Sequence, residues 1–421
     1  MHTILTKIAD KTILLRAEKH KIRSMEQVSN RVAALAESST IAMNTKTKEL
    51  QLQGIDVINL TVGEPDFFTP QHIKDAAKKA IDDNFSFYTN VAGYPELQEA
   101  ISKKLKRENN LDYAPNQIIV SNGAKHSLAN AMLSIINKGD EVIIPAPYWV
   151  SYAELAKLAE GTNIIIDTDV ESDFKISPAQ LEKAITPKTK AFLLCSPSNP
   201  TGSVYSKAEL KALVGILVKH PNIFIITDEI YEHINFIGGH ESIAQFPEIK
   251  DRVILVNGVS KSYAMTGYRI GYMAAAPWIA KACNKLQGQM TTNASTIAQR
   301  ASIAALNSDQ TVVRTFREAF QKRRDLVYNS IMSIKGVKCN KPDGAFYVFP
   351  DISSFFGKSA EGRTINNSDD MSFYLLEKAF VATVPGSGFG NGKCIRISFA
   401  TSDEKLVEAL KRFKNALEAL K

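Results

Sequence analysis

Seven short runs of β-branched and aliphatic residues, set between helix-patterned stretches, constrain this chain more than any other feature. They are Gln117–Val120, Glu141–Ile144, Asn163–Ile166, Ala191–Leu194, Asn222–Ile226, Arg252–Val256 and Tyr268–Met273. Their apolar character does not alternate. That pattern belongs to strands covered on both faces, as in a mainly parallel sheet. Helical patterns such as Ala124–Ile136 and Ser206–Lys219 fall between most of them, which predicts an α/β domain with helices flanking the sheet. Further on come a long polar-faced helix over 309–335, the segment KPDGAFYVFPD, a helix near Met371–Phe380, CIRISFA and a closing helix from Asp403. These read as a second, smaller α+β unit. We expect four parts: an extension over 1–24, a segment over 25–64 packing on the small unit, a large domain over 65–325, and a small C-terminal domain over 326–421.

Charge and cysteine usage narrow the function. Lys+Arg exceed Asp+Glu by 51 to 44, a net +7 spread over 421 residues with no dense basic block. That is a solvated surface with some pull on small anions rather than a nucleic-acid stripe. No apolar run is long enough for a membrane span. Cys195, Cys283, Cys339 and Cys394 make no C-x-x-C pair and no zinc spacing with histidine, so we expect no metal site and a reducing, cytoplasmic setting. The extension is basic (Lys7, Lys11, Arg16, Lys19, Lys21, Arg23) but lacks the apolar core of a secretory signal. It reads as a frayed extension or a start assigned upstream of Met25, with a transit peptide as the other reading.

Ligands of such sheets sit at the carboxyl ends of the strands, and four segments stand there. Ser121-Asn-Gly-Ala-Lys-His-Ser127 opens a helix, and its backbone N–H groups suit a phosphate, although a plain glycine turn has the same composition. Ser196-Pro-Ser-Asn-Pro-Thr-Gly202 is a rigid turn or a platform for the Asn199 amide. Thr227-Asp-Glu-Ile-Tyr231 ends a strand on Asp228, a carboxylate that needs a cation once buried, with the Tyr231 phenol close by. In the segment from Asn257 to Gly271, Lys261 lies among small and apolar neighbours, where an amine loses charge readily and attacks carbonyls. Arg269, eight positions on, offers a donor fork for a phosphate or carboxylate. A phosphate cradle, a partner for a ring cation, donors for a ring oxygen and an amine for an aldehyde are what pyridoxal phosphate requires.

On these residues the chain resembles the class I/II aminotransferases, pyridoxal-phosphate enzymes of the aspartate aminotransferase fold (fold type I). The bacterial aspartate branch is the nearest in pattern. The resemblance runs from about residue 27 to 420. It is carried by TVGEPDF (61–67), FSFYTNVAGYPELQEAI (85–101), SNGAKHSLANAM (121–132), PAPYWVSY (145–152), SPSNPTG (196–202), TDEIYEH (227–233), VSKSYAMTGYRIGY (259–272), GAFYVFP (344–350), VPGSGFG (384–390) and IRISFA (395–400). It implies that Lys261 bonds the cofactor's aldehyde and later carries a proton. Asp228 would pair with the pyridinium nitrogen, and Asn199 and Tyr231 with the ring oxygen. Gly123, Ala124, Lys125, Ser260 and Arg269 would hold the phosphate, and Trp149 would stack on the ring. Arg396 would clamp the substrate α-carboxylate, with Gly63 and Asn199 beside it. Tyr88 would reach the phosphate of a neighbouring subunit, which implies a homodimer with shared active sites.

The substrates implied are amino acids and 2-keto acids. Ser38 and Thr40 in the first lid segment, together with Lys125, match the acidic-substrate pattern of this branch. Ala36 and Glu37 replace the basic residue of close relatives. That weakens the case for bulkier acids such as prephenate. The leading expectation is amino transfer from L-aspartate to 2-oxoglutarate. An aromatic or prephenate/arogenate aminotransferase and a C–S lyase are the alternatives on the same scaffold. A regulator built on this fold would carry a DNA-binding module ahead of it, and the stretch before the first motif is too short for one.

Overall fold

The structure, a computed structural model, describes residues 28–36 and 39–421, with side chains of residues 39–42 outside the description. The described residues up to Ala36 belong to one unit and those from Ser39 onward to another. In the first, the described stretch holds one short helix, Asn30–Ala33, capped by the Ser29 hydroxyl. The expected extension over 1–24 lies outside the described residues.

The second unit is organised on a seven-stranded sheet: β1 (Ile118–Ser121), β2 (Glu141–Ala146), β3 (Thr162–Asp167), β4 (Thr189–Cys195), β5 (Phe224–Asp228), β6 (Val253–Gly258) and β7 (Gly271–Ala274). Its order is β1-β7-β6-β5-β4-β2-β3. The strands run parallel except that β7 is antiparallel to both its neighbours. Both faces are apolar, as the unbroken runs require. Ile118 and Val120 enter one core cluster, while Ile119 between them enters another on the opposite face.

Strand ends differ from the sequence reading where the backbone leaves the extended region. The seventh strand begins at Gly271 rather than Tyr268, because Thr266–Tyr268 forms a 3₁₀ turn and Arg269 is left-handed at φ 56°. Of the helices, α1 (Pro95–Asn109) starts on a proline at its first position and stops at left-handed Asn110. Helix α2 (Ala124–Ile135) follows β1, α3 (Ser151–Leu158) follows β2, and α4 (Thr311–Met332) is shorter than the 309–335 its pattern predicted.

The C-terminal portion carries a three-stranded antiparallel sheet. Its strands are β8 (Tyr347–Val348), β9 (Val384–Pro385) and β10 (Ile395–Ser398), in the order β9-β10-β8. Helix α5 (Asp403–Glu418) closes it, capped by Ser402. Ile58–Asn59 pairs in parallel with Val381–Ala382, so the segment ahead of the main sheet is tied to this portion. Among the described residues no helix is long and apolar enough to cross a membrane.

Candidate active site

Strands β4, β5 and β6 run parallel and end side by side, so the loops after them present Asn199, Asp228 and Lys261 to one cavity of about 310 Å³. Gly63, Ala124, Lys125, Trp149, Tyr231, Ser260, Arg269 and Arg396 line it too. The described structure thus brings together residues from seven of the motifs singled out by sequence.

One end of the cavity is shaped for an anion. Gly123 has φ 87°, and a Cβ there would fall 2.3 Å from the Arg269 Nη2 atom. A Cβ on Gly271 would fall 2.1 Å from the Ala124 nitrogen. Glycine at both positions lets the start of α2 close against β7, so free N–H groups, the helix dipole and the Arg269 guanidinium converge. Arg269 is held by a bond to the Thr266 carbonyl of 2.9 Å. The hydroxyl-bearing Ser260 and Thr266 line the same wall.

Asp228 marks a place for a cation. It is 3% exposed. The Tyr152 hydroxyl donates to its Oδ2 at 2.7 Å and the Ile230 N–H to its Oδ1 at 3.2 Å. Burial nevertheless pushes its carboxyl up to about 6, against the lowering effect of those donors. A carboxylate held this dry at neutral pH is stabilised by an adjacent positive group, and a protonated pyridine nitrogen is one.

Lys261 shows the opposite bias. Burial pushes its amine down to about 8, with the Arg269 and Arg396 charges acting in the same sense and Glu64 and Asp228 opposing. Its Nζ donates to the Gly63 carbonyl. An amine so disposed is neutral in a useful fraction near physiological pH and is nucleophilic toward an aldehyde.

Arg396, on β10, is 2% exposed. It donates to the Asn199 Oδ1 at 3.1 Å and the Thr61 carbonyl at 2.7 Å, both neutral acceptors. Its Nε is buried with no partner. Among the described residues no carboxylate lies within ion-pair distance of it. The guanidinium is flanked by the Tyr347 and Phe389 rings at 4.5 and 5.0 Å. This is an arginine in want of an anion. Lys125 lies 4.7 Å over the Trp149 ring, a second cation at the same cavity, and burial lowers its pKa. Phosphate cradle, ring partner, amine and carboxylate clamp are therefore all present in one cavity, and the residues fit pyridoxal phosphate with a carboxylate-bearing substrate.

Three expected site residues stand apart. Tyr88 is 88% exposed and does not line this cavity. Ser38 lies outside the described residues. Thr40 falls within the helix Ser39–Leu52, and its side chain lies outside the description.

Two residues that the motif reading quoted without a role belong to the site. Tyr152 holds Asp228, and the Tyr347 hydroxyl meets that of Tyr231 at 2.9 Å. Their only signal in the sequence is a tyrosine inside PAPYWVSY and another inside GAFYVFP.

A model of the "Aminotransferase class I and II" family matches residues 55–413. A "Probable aspartate/prephenate aminotransferase" from Rickettsia bellii is 49% identical, covering 94% of this chain and all of that protein. Among solved structures, the aspartate aminotransferase from Rhizobium meliloti superposes with a TM-score of 0.91 at 43% identity, over 94% of this chain and all of the other. The Thermus thermophilus aspartate aminotransferase with maleate gives 0.87 at 41%, over 93% of this chain and all of the other.

Proposed function

This chain belongs to the class I and II aminotransferases, which are pyridoxal-phosphate-dependent enzymes, and from that premise we propose that it moves the amino group of L-aspartate to 2-oxoglutarate, giving oxaloacetate and L-glutamate in two half-reactions. The observation that carries this reading is Arg396, buried and lacking an anionic partner, in the same cavity as Lys125. Two cations suit a substrate with two carboxylates.

When bound, the cofactor supplies an electron sink for the pair left when the substrate α-carbon loses its proton. Everything else falls to the chain. The start of α2, with Ser260 and Arg269, holds the phosphate. Asp228 keeps the ring nitrogen protonated, and Tyr152 keeps Asp228 in place. Asn199 and Tyr231 donate to the ring oxygen. Arg396 grips the α-carboxylate and so fixes which α-bond stands perpendicular to the ring. Lys261 would bond the cofactor's aldehyde and, with substrate in place, would take up the α-proton as a general base and give it up again as an acid.

We also propose roles beyond this cavity. Tyr88, exposed beside Phe87 and on the same chain as exposed Phe68, would complete the active site of a second copy in a homodimer. Ser38 and Thr40 would belong to a lid over the substrate. Residues 65–325 would act as the cofactor-holding domain and 326–421 as the smaller one. Four free cysteines agree with a cytoplasmic enzyme.

The name of the Rickettsia bellii relative favours prephenate as a further acceptor. A donor and acceptor panel tests both readings. Aspartate with 2-oxoglutarate is expected to exceed phenylalanine with 2-oxoglutarate in kcat/KM by at least about tenfold. Equal rates would turn the assignment to an aromatic aminotransferase. Release of pyruvate from cysteine conjugates without any acceptor would turn it to a lyase.

Arg396→Lys is expected to raise the KM for aspartate by about 100-fold, because a point charge replaces a planar two-pronged clamp. The bound cofactor's visible absorbance should be unchanged. An unaltered KM would remove Arg396 from the substrate site.

A further inference from the structure

Next in the chain to Tyr231 and Lys261 stand members of a buried polar cluster that the chemistry above does not use. Lys104, on α1, is completely buried. Its ammonium pairs with Glu232 and donates to the Asn109 Oδ1 at 2.8 Å, with Glu108 at 3.6 Å. The Asn109 amide donates back to the second Glu232 oxygen at 2.8 Å. Against the cost of burial, the Lys104 charge holds the Glu232 carboxyl well below its ordinary range. Next to Glu232, the His233 ring bridges Glu108 at 2.9 Å and the Ser262 hydroxyl at 2.7 Å.

The chain positions of these residues matter. Glu232 and His233 follow Tyr231 directly, and Ser262 follows Lys261. One end of α1 therefore grips the loop that carries Asp228 and Tyr231, and His233 of that loop ties it to the loop that carries Lys261. These loops leave adjacent strands, and beyond the strand ends the sheet no longer sets their spacing.

Resting on the aminotransferase reading, we infer that Lys104, Glu232 and His233 are positioning residues, which set the distance between the Lys261 amine and the Asp228–Tyr231 segment. A buried ion pair exchanged for apolar side chains of similar size commonly leaves stability unchanged or improved. Positioning and mere support can therefore be separated. Lys104→Met alone strands the Glu232 carboxylate, so both partners are exchanged in Lys104→Met/Glu232→Met. Ser262→Ala serves as the second variant, since it removes one hydroxyl and no charge. The charged groups that act on Lys261, namely Glu64, Asp228, Arg269 and Arg396, stay in place in both.

The cofactor-loaded full chain is titrated with pH, without substrate, and the midpoint of its visible absorbance change is read. The double variant is expected to melt within about 5 °C of the parent. Its midpoint should move by about one pH unit. Its kcat should fall at least about tenfold, with KM within about threefold. Ser262→Ala should move the midpoint in the same direction by less. Parent-like midpoint and kcat in the double variant overturn the inference. So does an unmoved midpoint in Ser262→Ala where the double variant does not fold. Because the midpoint is read without a donor, a parent that ignores aspartate defeats only the substrate assignment and leaves this result readable.

Discussion

Replacing Lys261 with alanine is expected to lower turnover by at least about 10⁴-fold, because in the proposed chemistry one side chain serves as both nucleophile and proton carrier. The loss should appear in kcat rather than KM, since Arg396 still grips the substrate. Cofactor should still bind, held by the start of α2, Ser260 and Arg269, but with no covalent bond to the protein. Added methylamine or ammonia should restore part of the rate by supplying a base where Nζ stood. The surroundings of Lys261 explain why no other group substitutes. Its burial holds it at about 8, and among the described cavity residues the other amine, Lys125, lies over the Trp149 ring. Turnover within tenfold of the parent would remove Lys261 from the chemistry.

Asp228→Ala carries the second large effect, about 10³-fold in kcat, because it removes a preorganised charge in a dry site. Lys261 remains, so attachment of the cofactor should survive while removal of the α-proton slows. A substrate deuterated at the α-carbon distinguishes this from a binding defect, since the isotope effect on kcat should grow.

The same carboxyl leaves a mark on stability. In the cofactor-free protein burial holds it up to about 6, above its ordinary value. Between those two pH values the folded state binds the proton that the unfolded state has released, so this group's contribution declines as pH rises. A cationic ring nitrogen reverses that bias. The gain in melting temperature on adding cofactor should therefore be larger at pH 7 than at pH 5 in the parent. In Asp228→Ala the difference should shrink, leaving the part that Lys261 contributes.

Much of the architecture was legible because burial on both faces imposes an unbroken apolar run. Six of the seven strands are covered in this way; the edge strand Thr162–Asp167 keeps an apolar run although Ile165 is exposed, and the loops after several of the strands carry the proposed reactive groups. What the sequence could not display were pairings across the fold. The side-chain donor to Asp228 is Tyr152, 76 positions away, and the carboxylate paired with Lys104 is Glu232, 128 positions away. Nothing local marks Lys104 as buried, since it lies in KKLKRE, a run that reads as a solvated helix face. The misplaced start of the seventh strand has a local cause: Arg269 adopts a left-handed backbone that its residue type does not advertise. The role expected of Tyr88 rests on the family pattern alone, since its expected partner is another chain.

On the function proposed above, one amine, Lys261, bonds the cofactor. Borohydride reduction of the cofactor-loaded enzyme, followed by peptide mapping, tests it directly. A single added cofactor mass is expected, on the peptide containing Lys261. A protein left unmodified, or carrying that mass on a different lysine, would contradict it.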